Sequence, residues 1–455
     1  MRLSALEGRR VALWGLGREG RAAWRAFRAR WPQAPLAVFC PQAEHAEARA
    51  LNDPQLQVFG EPDAEALARF EVVIKSPGIS AYHPALLEAA SRGTGFTSGT
   101  ALWFAAQLPG RKLCLTGTKG KSSTTALIAH LLRRGGRCVG LAGNIGLPLL
   151  ELVDPPKVPD VWAIELSSYQ TVDAVAPDVA VVLNLYPEHL DWHGGVERYY
   201  ADKLALVTRA SPRRVVLNHR DARLRELGVS LPGVTWFGRE DGWHLREAEV
   251  WRGDRRVLGD DALSLPGLHN RLNLCAALAA IEALGEDAEV LSPAAADFRG
   301  LPHRLHRLGE RGGVEYVDDS ISTTPEASLA GLACFAGRRV AVLLGGFERG
   351  LPWEGVAERM GESPPVLAVC RGQNGPRIAA SLRRERADLN LIEVDTLEQA
   401  ISAAAEAAGE GGVVLLSPGA PSFPEFRDYA ERGRRFAELA GFPAELAKIE
   451  GLGIA

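Results

Sequence analysis

No stretch of this 455-residue chain stays apolar over the ~20 positions that a bilayer-spanning helix needs. Residues Met1 to Arg10 are charged and hold no apolar signal core, so the sequence reads as cytoplasmic, with no membrane partner. Cys40, Cys114, Cys138, Cys275, Cys334 and Cys370 are scattered, and no pair has metal-ligand spacing. They read as reduced, buried thiols. A net charge of −4 argues against sequence-independent nucleic-acid binding, which needs a basic surface. Basic clusters such as Arg383 to Arg386 are short and include an acid, as a solvated helix face does. There is no short-period repeat and no long low-complexity segment. What is present is ordinary for a folded protein, 46% apolar and 24% charged. At ~150 residues per domain the length points to about three domains.

Strands alternate with helices along the whole chain. Val11 to Trp14 reads as a strand, followed by Gly15-Leu-Gly-Arg-Glu-Gly20 and a helix to about Arg30. A complete G-x-G-x-x-G between strand and helix suits a phosphate-bearing nucleotide. A nicotinamide cofactor would want an acid at the end of the next strand, but Pro35 to Phe39 ends in Cys40-Pro41, with Glu44 the first acid after it. Glu71 to Ile79 gives another strand, ending in a Ser-Pro-Gly turn.

The pattern restarts near Gly110. Leu113 to Leu115 reads as a buried strand, Thr116-Gly-Thr-Lys-Gly120 as a turn, and Lys121-Ser-Ser-Thr-Thr125 as a helix start. Gly117 and Gly120 let the backbone approach an anion, and the helix N-terminus favours phosphate. Lys121 is placed to reach terminal phosphates, and the Ser122 hydroxyl to ligate Mg²⁺. Leu115 stands where the usual phosphate loop has its first glycine, so the match is incomplete. The strands Asp160 to Leu166 and Val179 to Leu185 are near-continuous apolar runs, as in a parallel sheet covered on both faces. They deliver Glu165-Leu-Ser-Ser-Tyr-Gln170 and Asn184 with Glu188-His-Leu-Asp-Trp-His193 at their carboxyl ends, where open α/β sheets bind ligands. Ser122, Glu165 and His189 then form a hard-metal set around a nucleotide triphosphate. Singly, Glu165 is equally well a surface carboxylate and His189 a packed or solvated histidine. Lys203, alone on the Val196 to Val207 helix, reads on spacing as solvent-exposed.

The stretch Trp236 to Leu263 reads as irregular, and Leu265-Pro-Gly-Leu-His-Asn270 leads into a helix from Arg271 to Leu284. A third alternating unit begins near Leu305. Its strand Glu315 to Val317 runs into the polar loop Asp318-Asp-Ser-Ile-Ser-Thr-Thr324, and its last strand into Ser417-Pro-Gly and Ser422. The expected fold is three α/β domains in series, an N-terminal Rossmann-like one at 1–105, a central P-loop ATPase-like one with a mostly parallel sheet at 106–304, and a C-terminal Rossmann-like one at 305–455. Two phosphate-friendly turns and a third set of polar strand ends suit an enzyme that joins two substrates with ATP.

The loop Gly117-Thr-Lys-Gly-Lys-Ser122, Glu165 to Gln170, Glu188-His-Leu-Asp191, Gly267-Leu-His-Asn-Arg-Leu-Asn273 and Leu301-Pro-His-Arg304 resemble the Mur ligases of peptidoglycan synthesis, in the family's order across nearly the whole chain. Glu165 to Gln170 and Gly300 to Arg304 look most like the MurD type, which adds glutamate to UDP-N-acetylmuramoyl-L-alanine.

The resemblance implies the roles. Gly15, Leu16, Gly17, Arg18, Ser76 and Gly78 would lie near the uridine and diphosphate, with Asn144 at the diphosphate. Ser167 and Gln170 would also serve the substrate. Gly117, Thr118, Lys119, Gly120, Lys121, Ser122 and Ser123 would hold the ATP phosphates. Ser122, Glu165, His189 and Lys203 would serve Mg²⁺, with Lys121, His189 and Lys203 as the catalytic set. Lys203 matches the family's carbamylated lysine, which replaces the solvent-exposed reading, since carbamylation turns an ammonium into an acid. His269, Asn270 and Asn273 would flank the adenine, and Arg304 and Asp319 would complete the nucleotide site. Thr323, Arg349, Ser422 and Tyr429 would meet the incoming amino acid. The implied partners are small molecules only, and the implied state is a monomer.

The chain departs from the MurD pattern mostly in its last third. Lys119 replaces the usual Asn of the phosphate loop. Asp319-Ser-Ile-Ser-Thr-Thr324 replaces Asp-Ser-Lys-Ala-Thr-Asn, Arg349 replaces the lysine of a Gly-Gly-x-x-Lys turn, and Tyr429 replaces Phe. Arg349 substitutes a planar fork for a point charge, and Ile321 removes a cation. The expectation is therefore L-glutamate as the amino acid, with D-glutamate as the alternative. From other classes, a nicotinamide-dependent dehydrogenase would leave the second loop idle, and a P-loop switch would need no acceptor. A diaminopimelate-adding enzyme should show Asp-Asn-Pro-Arg, which is absent.

Overall fold

The computed structural model describes residues 1–259, 267–361, 364–443 and 452–455. Three sheets are distributed over two compact units. Among the described residues, the first unit holds 1–259, 271–295 and 452–455, and the second holds 267–270, 296–361 and 364–443.

The first sheet comprises β1 (Val11–Trp14), β2 (Leu36–Phe39), β3 (Leu56–Phe59), β4 (Val72–Lys75) and β5 (Gly95–Thr97), all parallel, in the order β3-β2-β1-β4-β5. The order reverses between β1 and β4, so the loops after these two strands open a crevice at a topological switch point. Both turns sit there, Gly15–Arg18 after β1 and Ser76–Ile79 after β4. Gly15 has φ 90°, and a Cβ on it would stand 2.7 Å from Ser76 Oγ, so only glycine lets the two turns meet.

The second sheet is built from β6 (Arg111–Thr116), β7 (Val139–Gly143), β8 (Val161–Glu165), β9 (Val179–Val182), β10 (Arg214–Asn218), β11 (Val234–Phe237), β12 (Trp243–Arg246), β13 (Glu249–Arg252) and β14 (Arg255–Leu258). Their order is β14-β13-β12-β11-β10-β9-β6-β8-β7, and the strand Gly453–Ile454 runs antiparallel beside β7. The strands β7 to β9 are buried throughout, as their runs of apolar residues and glycine, closed in β8 by Glu165, allow. The expectation of an irregular stretch from Trp236 to Leu263 is corrected over its described part. It forms an antiparallel edge, β12 to β14, which the sequence hides because the strands are four residues long and arginine-rich. Residues Leu265 and Pro266, expected to lead into the next helix, lie outside the described residues.

One apolar core serves both sheets of the first unit. It runs from Leu13, Val38 and Phe27 through Trp103 to Trp162 and Ile164, and the Trp103 and Trp162 rings meet edge-on at 5.1 Å.

The second unit carries the third sheet, with β15 (His306–Arg311), β16 (Val314–Asp318), β17 (Val340–Leu344), β18 (Leu367–Cys370), β19 (Leu391–Glu393) and β20 (Val413–Leu416). The order is β15-β16-β20-β17-β18-β19, parallel except for the β15–β16 hairpin. The cysteines are all free. Cys138 and Cys334 are only half-buried, which corrects the expectation that every thiol is buried. Among the described residues no helix is long and apolar enough to cross a membrane.

Candidate active site

The phosphate loop leaves the carboxyl end of β6, between β8 and β9, and enters the helix Lys121–Arg134. Gly120 caps that helix with φ 83°, and a Cβ there would stand 2.6 Å from Asn273 Oδ1. Asn273 thus lies against the loop. The loop is braced from the β9 end. Asn184 Oδ1 accepts from Lys119 N–H at 2.8 Å, and its Nδ2 donates to the Lys119 carbonyl at 3.0 Å. Thr118, buried, shares a 2.7 Å hydrogen bond with the Tyr199 hydroxyl and donates to the Tyr186 carbonyl at 3.0 Å. Lys119 forms an ion pair with Glu188. Lys121 Nζ folds back to donate to the Thr118 carbonyl at 2.9 Å, which keeps it over the loop. Ser122 is half-buried at the first turn and Ser123 buried behind it.

Glu165 ends β8 fully buried. Asn144 Nδ2 donates to its Oε1 at 2.7 Å, while its Oε2 has no hydrogen-bond partner. A buried carboxylate oxygen left without a donor is costly unless a cation or donor arrives. His189 stands at a left-handed position (φ 54°), its ring 5.3 Å from that of Tyr169. Desolvation pulls its pKa below the usual histidine range; Glu188 opposes this, and the charges of Lys121 and Lys203 assist it.

Lys203 corrects the solvent-exposed reading. It is 2% exposed, its Nζ donates to the Gly117 carbonyl at 3.0 Å, and it lies 5.1 Å over the Tyr199 ring. Burial, then the charge of Lys121, pull its pKa down to about 7, against the pull of Glu188 and Glu165. Spacing along a helix could not show this, because the partner that buries it lies in the phosphate loop.

Among the described residues no group of three or more His, Cys, Asp or Glu side chains could hold a metal by itself. A lone buried carboxylate, a hydroxyl and phosphate oxygens are nevertheless the donor chemistry Mg²⁺ takes, since it keeps water and few protein ligands. The unpartnered Glu165 Oε2 fits that demand.

In the same unit a cavity of about 460 Å³ opens at the β1/β4 switch point. Gly15, Leu16, Gly17, Arg18, Ser76, Gly78, Asn144 and Gln170 all line it. Ser167 does not, but its N–H and hydroxyl both donate to Gln170 Oε1, at 3.1 and 2.9 Å, and so orient that amide. Asn144 therefore reaches both this cavity and Glu165, which joins the two loops chemically. Glu19, the last variable residue of the G-x-G-x-x-G, also lines the cavity and was given no role by sequence. Burial pushes its pKa up to about 7, against Arg18, with Glu151 adding to the rise. Sequence also missed a buried relay. His193 Nδ1 meets Asp202 Oδ2 at 2.7 Å, His193 Nε2 meets Ser168 Oγ at 3.0 Å, and Tyr82 donates to Asp202 Oδ1 at 2.7 Å. No local motif marks it, because its members come from four separate segments.

The remaining candidates lie in the second unit. His269 is exposed and Asn270 buried at the start of the helix Leu268–Leu284. Asp319 is buried, accepting from Ser417 Oγ at 2.8 Å, Leu305 N–H at 3.1 Å and the Ser322 hydroxyl. Burial raises its pKa to about 6; those donors and Arg304 oppose the rise. Thr323 follows in the same loop, half-buried. Arg349 is exposed beyond β17, and Ser422 follows β20, half-buried. Tyr429 is exposed at the start of the helix Tyr429–Leu439, its ring 5.9 Å from that of His303.

Residues 115–281 match the family model described as the Mur ligase middle domain, and residues 303–419 match the Mur ligase, glutamate ligase domain. The chain is 55% identical over 467 positions, covering all of both chains, to a Xanthomonas axonopodis pv. citri (strain 306) protein named UDP-N-acetylmuramoyl-L-alanine--L-glutamate ligase. A Micromonospora sp. (strain ATCC 39149) protein of the same name is 42% identical, over 98% of this chain and 100% of that one. Among solved structures, UDP-N-acetylmuramate-alanine ligase MurC from Thermotoga maritima is similar in fold, with a TM-score of 0.61 at 20% identity over 94% of this chain and 98% of that one. MurF ligase from Thermotoga maritima in complex with ADP is similar in fold at a TM-score of 0.58 and 19% identity, over 91% and 95% of the two chains. The dehydrogenase alternative has no support in these matches.

Proposed function

The chain belongs to the Mur ligase family of ATP-dependent amide ligases, and from that premise we propose that it joins L-glutamate to UDP-N-acetylmuramoyl-L-alanine in peptidoglycan precursor synthesis. The observation that carries this reading is the end-to-end 55% identity to a relative named for that reaction. The Ile321 and Arg349 departures, both in the amino-acid unit, agree with it. The division of labour follows the expected boundaries, with nucleotide sugar at 1–105, ATP at 106–304 and amino acid at 305–455. The enzyme works as a cytoplasmic monomer.

The sugar nucleotide occupies the switch-point cavity, with its diphosphate toward Arg18 and Asn144. The free N–H groups of the Gly117–Ser123 loop and Lys121 hold the ATP phosphates. His269, Asn270 and Asn273 serve the adenine, and Arg304 and Asp319 the nucleotide. The alanyl carboxylate attacks the γ-phosphorus, giving an acyl phosphate and ADP, while Lys121 neutralises the charge moving to the leaving group. Thr323, Arg349, Ser422 and Tyr429 present the glutamate, whose neutral amine attacks the acyl carbon. The tetrahedral intermediate then loses phosphate to leave the amide. Ser122, Glu165, His189 and carbamylated Lys203 would hold magnesium, which supplies charge neutralisation at the phosphates when bound.

Purified enzyme given ATP, UDP-N-acetylmuramoyl-L-alanine and one glutamate enantiomer at a time tests the reading. Product is expected with L-glutamate. Turnover with D-glutamate and none with L-glutamate would overturn it.

A further inference from the structure

At the carboxyl edge of the third sheet lies a guanidinium that none of these roles uses. Arg432, on the helix Tyr429–Leu439, is 1% exposed. Its Nη2 donates to the Ser320 carbonyl at 2.8 Å and to the Ala420 carbonyl at 2.9 Å. Ser320 belongs to the loop after β16 that carries Thr323, and Ala420 to the loop after β20 that carries Ser422. A Cβ on Gly346 would stand 3.0 Å from Arg432 Nη1, so the loop after β17 abuts the same group. One side chain thus touches the three loops on which the amino-acid residues are expected.

Part of its donor capacity is unspent. Arg432 Nε and Nη1 are buried without a hydrogen-bond partner. Asp318 and Glu425 offset its charge from nearby, while their oxygens bond other groups. Asp318 Oδ2 bonds His303 Nδ1 at 2.7 Å, and Glu425 pairs with Arg371 at 2.5 Å. Arg371 is itself buried, with its Nε unpartnered. Two buried cations here face one buried carboxylate, Asp318, and one half-exposed carboxylate, Glu425, a balance that an arriving anion or the loss of either acid would shift.

Resting on the glutamate-ligase reading, we propose that Arg432 is a positioning residue for the incoming amino acid. It sets the separation of the Thr323 and Ser422 loops and, with Arg371 behind it, supplies the cations of a balanced charge cluster that meets the substrate's carboxylate. It acts through the loops, since its own atoms are closed to solvent.

Arg432→Lys, Arg432→Met and Glu425→Gln, each in the full chain, test this through steady-state constants for all three substrates. Arg432→Met is expected to raise KM for glutamate at least tenfold while KM for ATP and for the sugar nucleotide stays within twofold. Arg432→Lys keeps the charge and loses the two-carbonyl bridge, so an intermediate rise is expected. Glu425 is half-exposed, so its replacement spares folding, and removing its charge should lower KM for glutamate two- to fivefold. Parallel changes in all three KM values, or a glutamate KM that Glu425→Gln leaves unchanged or raises, would overturn the proposal. If the Arg432 variants do not fold, Glu425→Gln decides alone. Wild-type enzyme that makes no glutamyl product with either enantiomer would instead sink the functional reading beneath it.

Discussion

Lys203 Nζ donates to the carbonyl of Gly117 at 3.0 Å, which places a buried amine at the root of the phosphate loop. With its pKa drawn down to about 7 by burial and by Lys121, much of it is neutral at physiological pH, and a neutral amine is the form that adds carbon dioxide. The added carboxylate would turn a repelling cation into an acid beside Glu165. Enzyme kept in ¹³C-bicarbonate should therefore show one carbamate carbon resonance, growing as pH rises from 6 to 8, and Lys203→Ala should lose both the resonance and most of the activity.

Lys121 reaches back over its own loop, so its charge is fixed where the leaving phosphates would lie. Lys121→Met should lower kcat by roughly 10²- to 10³-fold, the usual scale for removing one preorganised charge-stabilising group. The affinity for the sugar nucleotide, measured by calorimetry, should hold.

Gly120→Ala forces a side chain onto a residue at φ 83° and brings its Cβ to 2.6 Å from Asn273 Oδ1. The left-handed backbone alone costs about 1–2 kcal/mol for a residue with a Cβ. The variant should melt several degrees lower and need more ATP for half-saturation. Pairing it with Asn273→Ala should relieve the contact but keep the backbone part of the loss.

Glu19 gives a pH signature for stability. Its folded pKa, about 7, lies above the ordinary 4.5, so between these values the folded state binds more protons than the unfolded one. Stability is then lost as pH rises from about 4.5 to about 7, by up to roughly 3 kcal/mol. Glu19→Gln should remove that slope. Urea midpoints of the two proteins should coincide near pH 4.5 and diverge toward pH 8, with the variant the more stable.

Restoring lysine at both departures, Ile321→Lys with Arg349→Lys, should shift selectivity toward D-glutamate. The measurement is the ratio of kcat/KM for the two enantiomers. An unchanged ratio would place the discrimination in other residues of the unit.

Where function rests on short runs of sequence, it could be read early. Gly117, Gly120, Lys121 and Ser122 fall within one strand–turn–helix, so spacing alone pointed to a turn suited to phosphate, and Gly15 to Arg18 line the switch-point cavity. What stayed hidden depends on packing between distant segments. Lys203 looks like any surface lysine until Gly117 and Tyr199 close over it. Arg432 looks like one of several arginines on an amphipathic helix until its contacts with Ser320 and Ala420 are known. The β12 to β14 edge escaped because short charged strands carry almost no apolar period.

The strand Gly453–Ile454 pairs with β7 in the first unit, and Arg133 Nη2 donates to the Gly453 carbonyl at 3.3 Å. The chain therefore leaves the first unit to build the second and then comes back. The second unit draws on two separate stretches of chain, each followed by a return to the first, and a single protease cut beside it would not set it adrift. After a nick near residue 296, the fragment from there to the chain end would still be clipped to β7 by a few backbone hydrogen bonds.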